Sequence, residues 1–508
     1  MLSLVGQFFK NIAASYVNLV VGLGITFFFT PYLISEIGKE EYGVWSLVFS
    51  FLSYMVIADM GMRQALVRFV SKNLALKKWN DLNKIFSSSV AIYTLVASII
   101  LCATLVLAFI FLKYFKIPID LFETGKIVVL VMGINTAFGF LILPFTALGA
   151  FNRYDISNYF STARALMQTA VFIILIERGY GIVQMAFVVL AVHMLTAYGM
   201  SKFRSIKFPE VKFQRDLVNR DSVKQLMGYS VYSFLIVIAI LLVYNTDNIV
   251  IGRFISMDAV AVYSIPLMFV EHTRRLFSVL TIPLVPAISH LEAENDFDRI
   301  RRIYAKSTSY LYFLTATFCI LIMFFGGNFI SLWLEEGFEK SKDILYILAI
   351  PAAITIPQTV KNSILYGISK HKIAFYVLGS EGLANLIISL ILVHKMGIVG
   401  VAIGTAIPQM IIYTVVYPLV FYRALHADVK EFYLAAGRSI LYALVLILPP
   451  AFILSKFLYA DTWLKLIIDG GICALICLAI LYLRILKPDD KERVSSGVIA
   501  LFGKRNRK

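Results

Sequence analysis

Long apolar runs set the first limit on this chain. Stretches of 18 or more mostly apolar residues recur along its length. A helix rises 1.5 Å per residue, so each run can cross about 30 Å of hydrocarbon. The runs are continuously apolar rather than alternating, which argues against a strand barrel. Of 508 residues, 59% are hydrophobic and 15% charged, a balance foreign to soluble domains. The fold class read from this is an all-α polytopic membrane protein with about 14 transmembrane helices. The predicted spans are 11–35, 42–67, 85–112, 125–149, 155–177, 181–202, 226–252, 258–289, 305–333, 342–367, 372–394, 398–421, 433–457 and 464–486. Lys10 and the apolar run after it are taken as the first span rather than a removed signal peptide.

The net charge of +16 has two readings, a nucleic-acid footprint or loop charge that orients spans. The basic residues sit in alternate loops, which favours the second. Arg68, Lys72, Lys77, Lys78 and Lys84 follow span 2. Lys202, Arg204, Lys207, Lys212, Arg215, Arg220 and Lys224 follow span 6. Lys487, Lys491, Arg493, Lys504, Arg505, Arg507 and Lys508 form the tail. That side is cytoplasmic, so both termini are expected there. Opposite loops are short and acidic, as at Glu335, Glu336 and Glu339. No nucleic-acid partner is expected. Cys102, Cys319, Cys473 and Cys477 all lie in apolar spans and read as small core residues, not as a disulfide or metal set.

The chain also repeats itself. Ile37-Gly-Lys-Glu-Glu-Tyr-Gly-Val-Trp-Ser-Leu47 aligns with Ile255-Ser-Met-Asp-Ala-Val-Ala-Val-Tyr-Ser-Ile265 at an offset of 218. The same offset pairs Trp79–Phe86 with Phe297–Tyr304, Gly149 with Gly367, and Gly179 with Gly397. A constant register is the signature of internal duplication. Six spans per copy is an even number, so both copies enter from the same side as a parallel repeat. The expected division is residues 1–215 (spans 1–6), 216–425 (spans 7–12) and 426–508 (spans 13–14 and a basic cytoplasmic tail). Transporters place their substrate at the seam of such bundles and alternate access by rocking them.

An ionisable side chain costs about 2.5–3.5 kcal/mol at a helix centre, so each one inside a span needs a reason. Arg164 in span 5 serves either a salt bridge within its bundle or an anionic substrate. Glu381 lies one step from Arg164's counterpart, Gly382, so the copies differ at one depth. Glu271 and Arg275 in span 8 are four apart and can pair on one face. Arg274 then points elsewhere without a local partner, and its planar fork suits phosphate. Lys361 in span 10 either snorkels or binds the same anion. Arg164, Arg274, Lys361 and Arg275 are thus the substrate-binding candidates. Asp59, Asp247, Glu271 and Glu381 are the coupling or gating candidates. Asp59 has Arg63 four residues on as a local partner. Asp247 sits among amides in Asn245-Thr-Asp-Asn248, as a helix-packing cluster or a site for a coupling cation or proton. Most of the 14 prolines, among them Pro31, Pro144, Pro283, Pro286 and Pro351, fall in spans. No Walker loop, dinucleotide fingerprint, zinc spacing or nucleophile elbow occurs in the sequence, so no cofactor, metal or catalytic residue is expected beyond coupling to Na+ or H+.

Asp59-Met-Gly with Ala65-Leu-Val-Arg68, the segment Asp247-Asn-Ile-Val-Ile-Gly252-Arg-Phe, and Val262-Tyr-Ser264 resemble the polysaccharide biosynthesis flippases. These include the O-antigen translocases of the multidrug/oligosaccharidyl-lipid/polysaccharide exporter superfamily. The resemblance implies two parallel six-helix lobes of the multidrug-exporter kind plus two C-terminal helices. It implies a transporter, not an enzyme. Such a transporter flips an undecaprenyl-pyrophosphate-linked oligosaccharide across the bacterial cytoplasmic membrane for surface polysaccharides such as lipopolysaccharide. Its partners would be that lipid-linked oligosaccharide, membrane lipids and other polysaccharide-assembly proteins. Related lipid II flippases use their last two helices as a lipid-tail groove, a role spans 13 and 14 would take. Two alternatives stand beside it: a cation-coupled multidrug exporter of the same superfamily, and a membrane polysaccharide polymerase or ligase. The last would be expected to carry a large outer loop, and none is present.

The loop charges generate a topology test. Reporter fusions after residues 215 and 338 are expected to read inside and outside respectively. The same side for both would overturn the orientation.

Overall fold

A computed structural model describes residues 2–486, apart from 229–230, 279–280, 282–283, 285–287, 289–290, 293, 335–336, 369, 371, 426–428 and 458–460. The basic tail from Lys487, Glu335, Glu336, Pro283 and Pro286 therefore lie outside the described residues, as does part of span 8. Among the described residues the regular structure is all helical. The helices are α1 (Leu2–Met55), α2 (Met62–Ala75), α3 (Trp79–Val106), α4 (Ile119–Thr146), α5 (Tyr154–Ile176), α6 (Ile182–Lys207), α7 (Arg220–Gly228), α8 (Val231–Tyr244), α9 (Thr246–Phe254) and α10 (Met257–Ser278). They continue with α11 (Phe297–Trp333), α12 (Glu339–Thr355), α13 (Thr359–Gly367), α14 (Lys372–Ile411), α15 (Tyr417–Leu425), α16 (Val429–Leu446), α17 (Leu448–Phe457) and α18 (Trp463–Ile480).

Ten helices among the described residues are long and apolar enough to cross a membrane, with α8 and α9 forming one further pair bent by 45°. Two of the ten, Ala13–Asp59 and Lys372–Arg423, hold 47 and 52 residues. One crossing needs about 20, so each is long enough for two. Each breaks at a glycine with positive φ, Gly38 (79°) and Gly397 (59°). A side chain is strained in that region and glycine is not. Gly179, the counterpart of Gly397 at the 218 offset, also has positive φ (79°). That one pair of repeat positions thus shares a backbone conformation as well as a residue type.

By packing, the chain forms two compact units. One holds Met1–Ser264 with Leu378–Val401, the other Ile265–Val377 with Ala402–Lys508. In the first, α3, α4 and α6 pack side by side and α1 lies along α5. Leu82, Phe86 and Tyr93 of α3 anchor its core. Here the repeated motifs meet each other. Ser264 donates to Ser46, its own counterpart, at 3.3 Å. Equivalent residues touch each other only on the axis that relates them. In the second unit α11 is the hub, packed on α12, α16, α17 and α18. Cys473 and Cys477 are buried there, as expected, whereas Cys102 lies exposed on α3. Apolar residues such as Leu95 and Leu105 are exposed on α3, which a chain that crosses hydrocarbon tolerates.

Among the described glycines of the first unit, Gly43 is packed most tightly. A Cβ there would sit 2.0 Å from the carbonyl oxygen of Met257. Backbone cannot yield as a side-chain tip can. Gly43→Ala is expected to destabilise by about 1–3 kcal/mol, the usual cost of overpacking. Thermal melts of the detergent-solubilised protein measure it, and an unchanged midpoint would refute this packing.

Candidate functional site

The first unit contains a cavity of about 340 Å³ among α2, α4, α5 and α6. Arg63, Asn135, Thr136, Ser157, Ser161, Arg164, His193 and Thr196 supply its polar wall, and Phe140, Leu143, Phe160 and Met200 part of its apolar wall. No acidic residue among the described residues lines it. α5 is held in place by side-chain bonds to α1. Asn158 donates to Ser15 at 2.9 Å and Thr162 to Asn18 at 3.1 Å. Asn11 donates to Asn152, just before α5, at 3.3 Å. These contacts fix the rotation of α5 and so aim Arg164 into the cavity. Across from it, His193 Nδ1 lies 2.8 Å from Asn135 Oδ1, an oxygen that can only accept, so the ring N–H donates. The sequence singled out Arg164 but missed Asn135 and His193. They lie on different helices 58 residues apart, and no local spacing links them.

The other candidates in this unit do not line that cavity. Asp59 ends a short 3-10 turn, Val56–Asp59, and accepts from Tyr93 Oη at 2.7 Å. Arg63 approaches it with its backbone N–H, at 3.4 Å, rather than through the expected ion pair. The reason is a broken helix: Met60 and Gly61 have φ of 49° and 72°, so residues 59 and 63 do not share one helical face. Asp247 is buried and accepts from Tyr263 Oη at 2.6 Å. Beside it Asn248 donates to Ser50 at 3.1 Å, and Tyr54 Oη lies 2.5 Å from Thr246 Oγ1. This is a polar cluster joining α1, α9 and α10. Glu381 of α14 is fully buried, and one turn on Asn385 donates to the Val243 carbonyl at 3.3 Å.

In the second unit the arginines of α10 differ from expectation. Arg274 is not without a local partner: its Nε donates to Glu271 Oε2 at 3.1 Å, and its Nη2 bonds the same oxygen. Arg275 takes the other oxygen at 3.4 Å. Residues three apart share a helix face as those four apart do, so one carboxylate serves both cations. Lys361 of α13 neither snorkels nor pairs. It is fully buried, and its Nζ has no hydrogen-bond partner among the described residues. Four rings enclose it: Phe432 at 4.4 Å, Tyr417 at 5.0 Å, Phe421 at 5.6 Å and Tyr304 at 6.0 Å to their centroids. Ring faces are negative and attract an ammonium where no carboxylate does.

That box makes a prediction. Lys361→Met keeps the length and drops the charge, so the folded protein is expected to melt no lower than the parent. Lys361→Glu turns a carboxylate onto the same rings and is expected to cost about 3–5 kcal/mol, as an unpaired buried charge does. Equal losses in the two melts would refute the ring box as the cation's support.

Residues 8–292 match the family described as polysaccharide biosynthesis protein, and residues 233–391 match the one described as MatE. A probable low-salt glycan biosynthesis flippase, Agl15 of Haloferax volcanii, is 23% identical over 76% of this chain and 78% of its own. Among solved structures, the lipid II flippase MurJ in an inward closed conformation superposes with a TM-score of 0.72 at 17% identity, covering 94% of this chain and 99% of that one. An inward-facing multidrug resistance MATE transporter gives 0.65 at 15% identity, covering 84% and 96%. The first family match spans more than half of the sequence. The chain is a multi-pass membrane protein of the polysaccharide biosynthesis family.

Proposed function

We propose that this protein flips an undecaprenyl-pyrophosphate-linked oligosaccharide from the inner to the outer leaflet of a bacterial cytoplasmic membrane, with both termini on the cytoplasmic side. The observation that carries the reading is the cavity of the first unit, polar and cationic, with no acidic residue among the described residues of its wall. A lipid-linked sugar pyrophosphate is anionic at the head and rich in hydroxyls. Its family membership, and a relative described as a glycan biosynthesis flippase, support the same substrate class. A cation-coupled drug exporter would want carboxylates where this cavity has guanidiniums.

In this proposal the copies at 1–215 and 216–425 rock as two parallel lobes. The paired serines Ser46 and Ser264 and the matched glycines Gly179 and Gly397 support that symmetry. Arg274 and Arg275 would release Glu271 and take the pyrophosphate, since phosphate oxygens accept a guanidinium fork as a carboxylate does. Lys361 would join them only when Phe432 moves aside. Asp59, Asp247 and Glu381 remain the candidates for a coupling Na+ or H+. Helices after residue 426 would shelter the lipid tail, and other polysaccharide-assembly proteins would hand over and receive the glycan.

The test is transport in cells that depend on the protein for surface glycan. Arg164→Ala and Arg274→Ala, each at normal abundance, are expected to lower surface glycan at least tenfold, with lipid-linked oligosaccharide accumulating inside. Arg274→Lys keeps charge but loses the fork and is expected to fall between. Full surface glycan in both alanine variants would sink the assignment of these cations.

A further inference from the structure

The cavity of the first unit carries more than a positive charge. The hydroxyls of Ser157 and Ser161 and the guanidinium of Arg164 make no side-chain hydrogen bond or ion pair among the described residues, and Arg63, whose charge also acts on Asp59, lines the cavity beside them. Asn135 accepts from His193 through its oxygen, which leaves its amide N–H groups to a ligand. The apolar side includes the rings of Phe140 and Phe160. A lining that combines open donors and acceptors with aromatic rings suits a pyranose, which has hydroxyls at its rim and C–H groups on its faces. A pyrophosphate has acceptors only and would leave the aromatic wall unused. At about 340 Å³ the cavity is at the small end of ligand pockets, which start near 300 Å³, so it suits one sugar ring rather than a whole head group.

The repeat adds an independent observation. At the 218 offset, Asn135 corresponds to Ala353, Thr136 to Ile354, Ser157 to Phe375, Ser161 to Gly379 and Arg164 to Gly382. At these five positions the second copy has apolar or small residues and no charge, while Arg63 and Thr196 fall on Thr281 and Thr414. A polar, cationic pocket was therefore kept on one side of the duplication only, as a ligand with one distinctive end requires.

Resting on the flippase reading above, we propose that the glycan carries an acidic sugar, a carboxylate-bearing pyranose, and that this cavity reads it. Arg164 and Arg63 hold the carboxylate, and Asn135, Ser157 and Ser161 bond the ring hydroxyls. His193 is a positioning residue, since it acts by orienting Asn135. The recognised group is an anion, and two anions travel on the substrate: the sugar carboxylate and the pyrophosphate.

The experiment separates them. Proteoliposomes of the full chain are loaded with two polyprenyl-pyrophosphate disaccharides, one ending in glucuronate and one in glucose made by reducing that carboxyl. Both carry the same pyrophosphate and compete in the same vesicles. The readout is the ratio in which they reach the outer leaflet, which does not depend on how much protein is folded. The parent is expected to favour the glucuronate glycan at least tenfold. Arg164→Gln is expected to bring the ratio close to one, Arg164→Lys to retain part of it, and His193→Phe to lower it by releasing Asn135. A ratio of one in the parent overturns the acidic-sugar proposal and leaves the flippase reading standing. Transport of neither glycan overturns both. A tenfold preference that survives Arg164→Gln overturns the assignment of the site.

Discussion

Everything in this structure answers to a solvent that offers no hydrogen bonds. Inside hydrocarbon, a polar group must find its partner in the protein, and a charge must find compensation or a function. Backbone groups meet the demand by staying helical. Hydroxyls meet it by bonding back to the preceding turn, as Thr104 does to Ile100 and Thr136 to Met132. Charges have three solutions here. Glu271 pairs with two arginines within one helix, one on each carboxylate oxygen. Asp59 and Asp247 each accept from a tyrosine. Lys361 is surrounded by ring faces. A desolvated cation–π contact contributes about 2 kcal/mol, so several rings together match the roughly 2.5–3.5 kcal/mol that insertion costs. Arg164 uses none of these solutions, which is why function is sought there.

The same solvent explains how much of the fold was legible in the sequence. Span length is fixed by bilayer thickness, so apolar runs mark the helices directly. The duplication was legible because symmetry repeats register as well as composition. Its structural counterparts are the positive φ at Gly179 and Gly397 and the contact between Ser46 and Ser264. The break at Met60 and Gly61 was not legible. Gly61 is a stop signal in a soluble helix but is common inside membrane helices, so it did not decide the point, and the expected Asp59–Arg63 pair depended on the helix continuing.

The site was legible only residue by residue. A lone arginine in an apolar span stands out, so Arg164 could be named. Its surroundings could not, because they come from four helices whose rotation is set by contacts such as Asn158–Ser15 and Thr162–Asn18, more than 140 residues apart in sequence. Lys361 shows the converse. Its depth suggested a ligand, yet the rings that satisfy it come from α11, α15 and α16, and only the folded chain brings them together. Arg274 failed for a simpler reason: two spacings, three and four, compete for Glu271, and sequence alone does not rank them.

Duplication also constrains what such a protein can carry. Two identical copies would build two identical half-sites, suited to a ligand with matching ends. Here the scaffold positions kept their residues while the cavity positions diverged. Gly382, where the second copy would place Arg164's counterpart, is packed so closely on α8 that a Cβ would meet Leu242 Cβ at 2.7 Å. An arginine has no room there. In the first copy the equivalent position opens into a polar cavity. One half thus offers a pocket and the other fills the matching place with helix packing. That division suits a substrate with a charged, hydroxyl-rich head at one end and a hydrocarbon tail at the other, since only one end needs a polar wall.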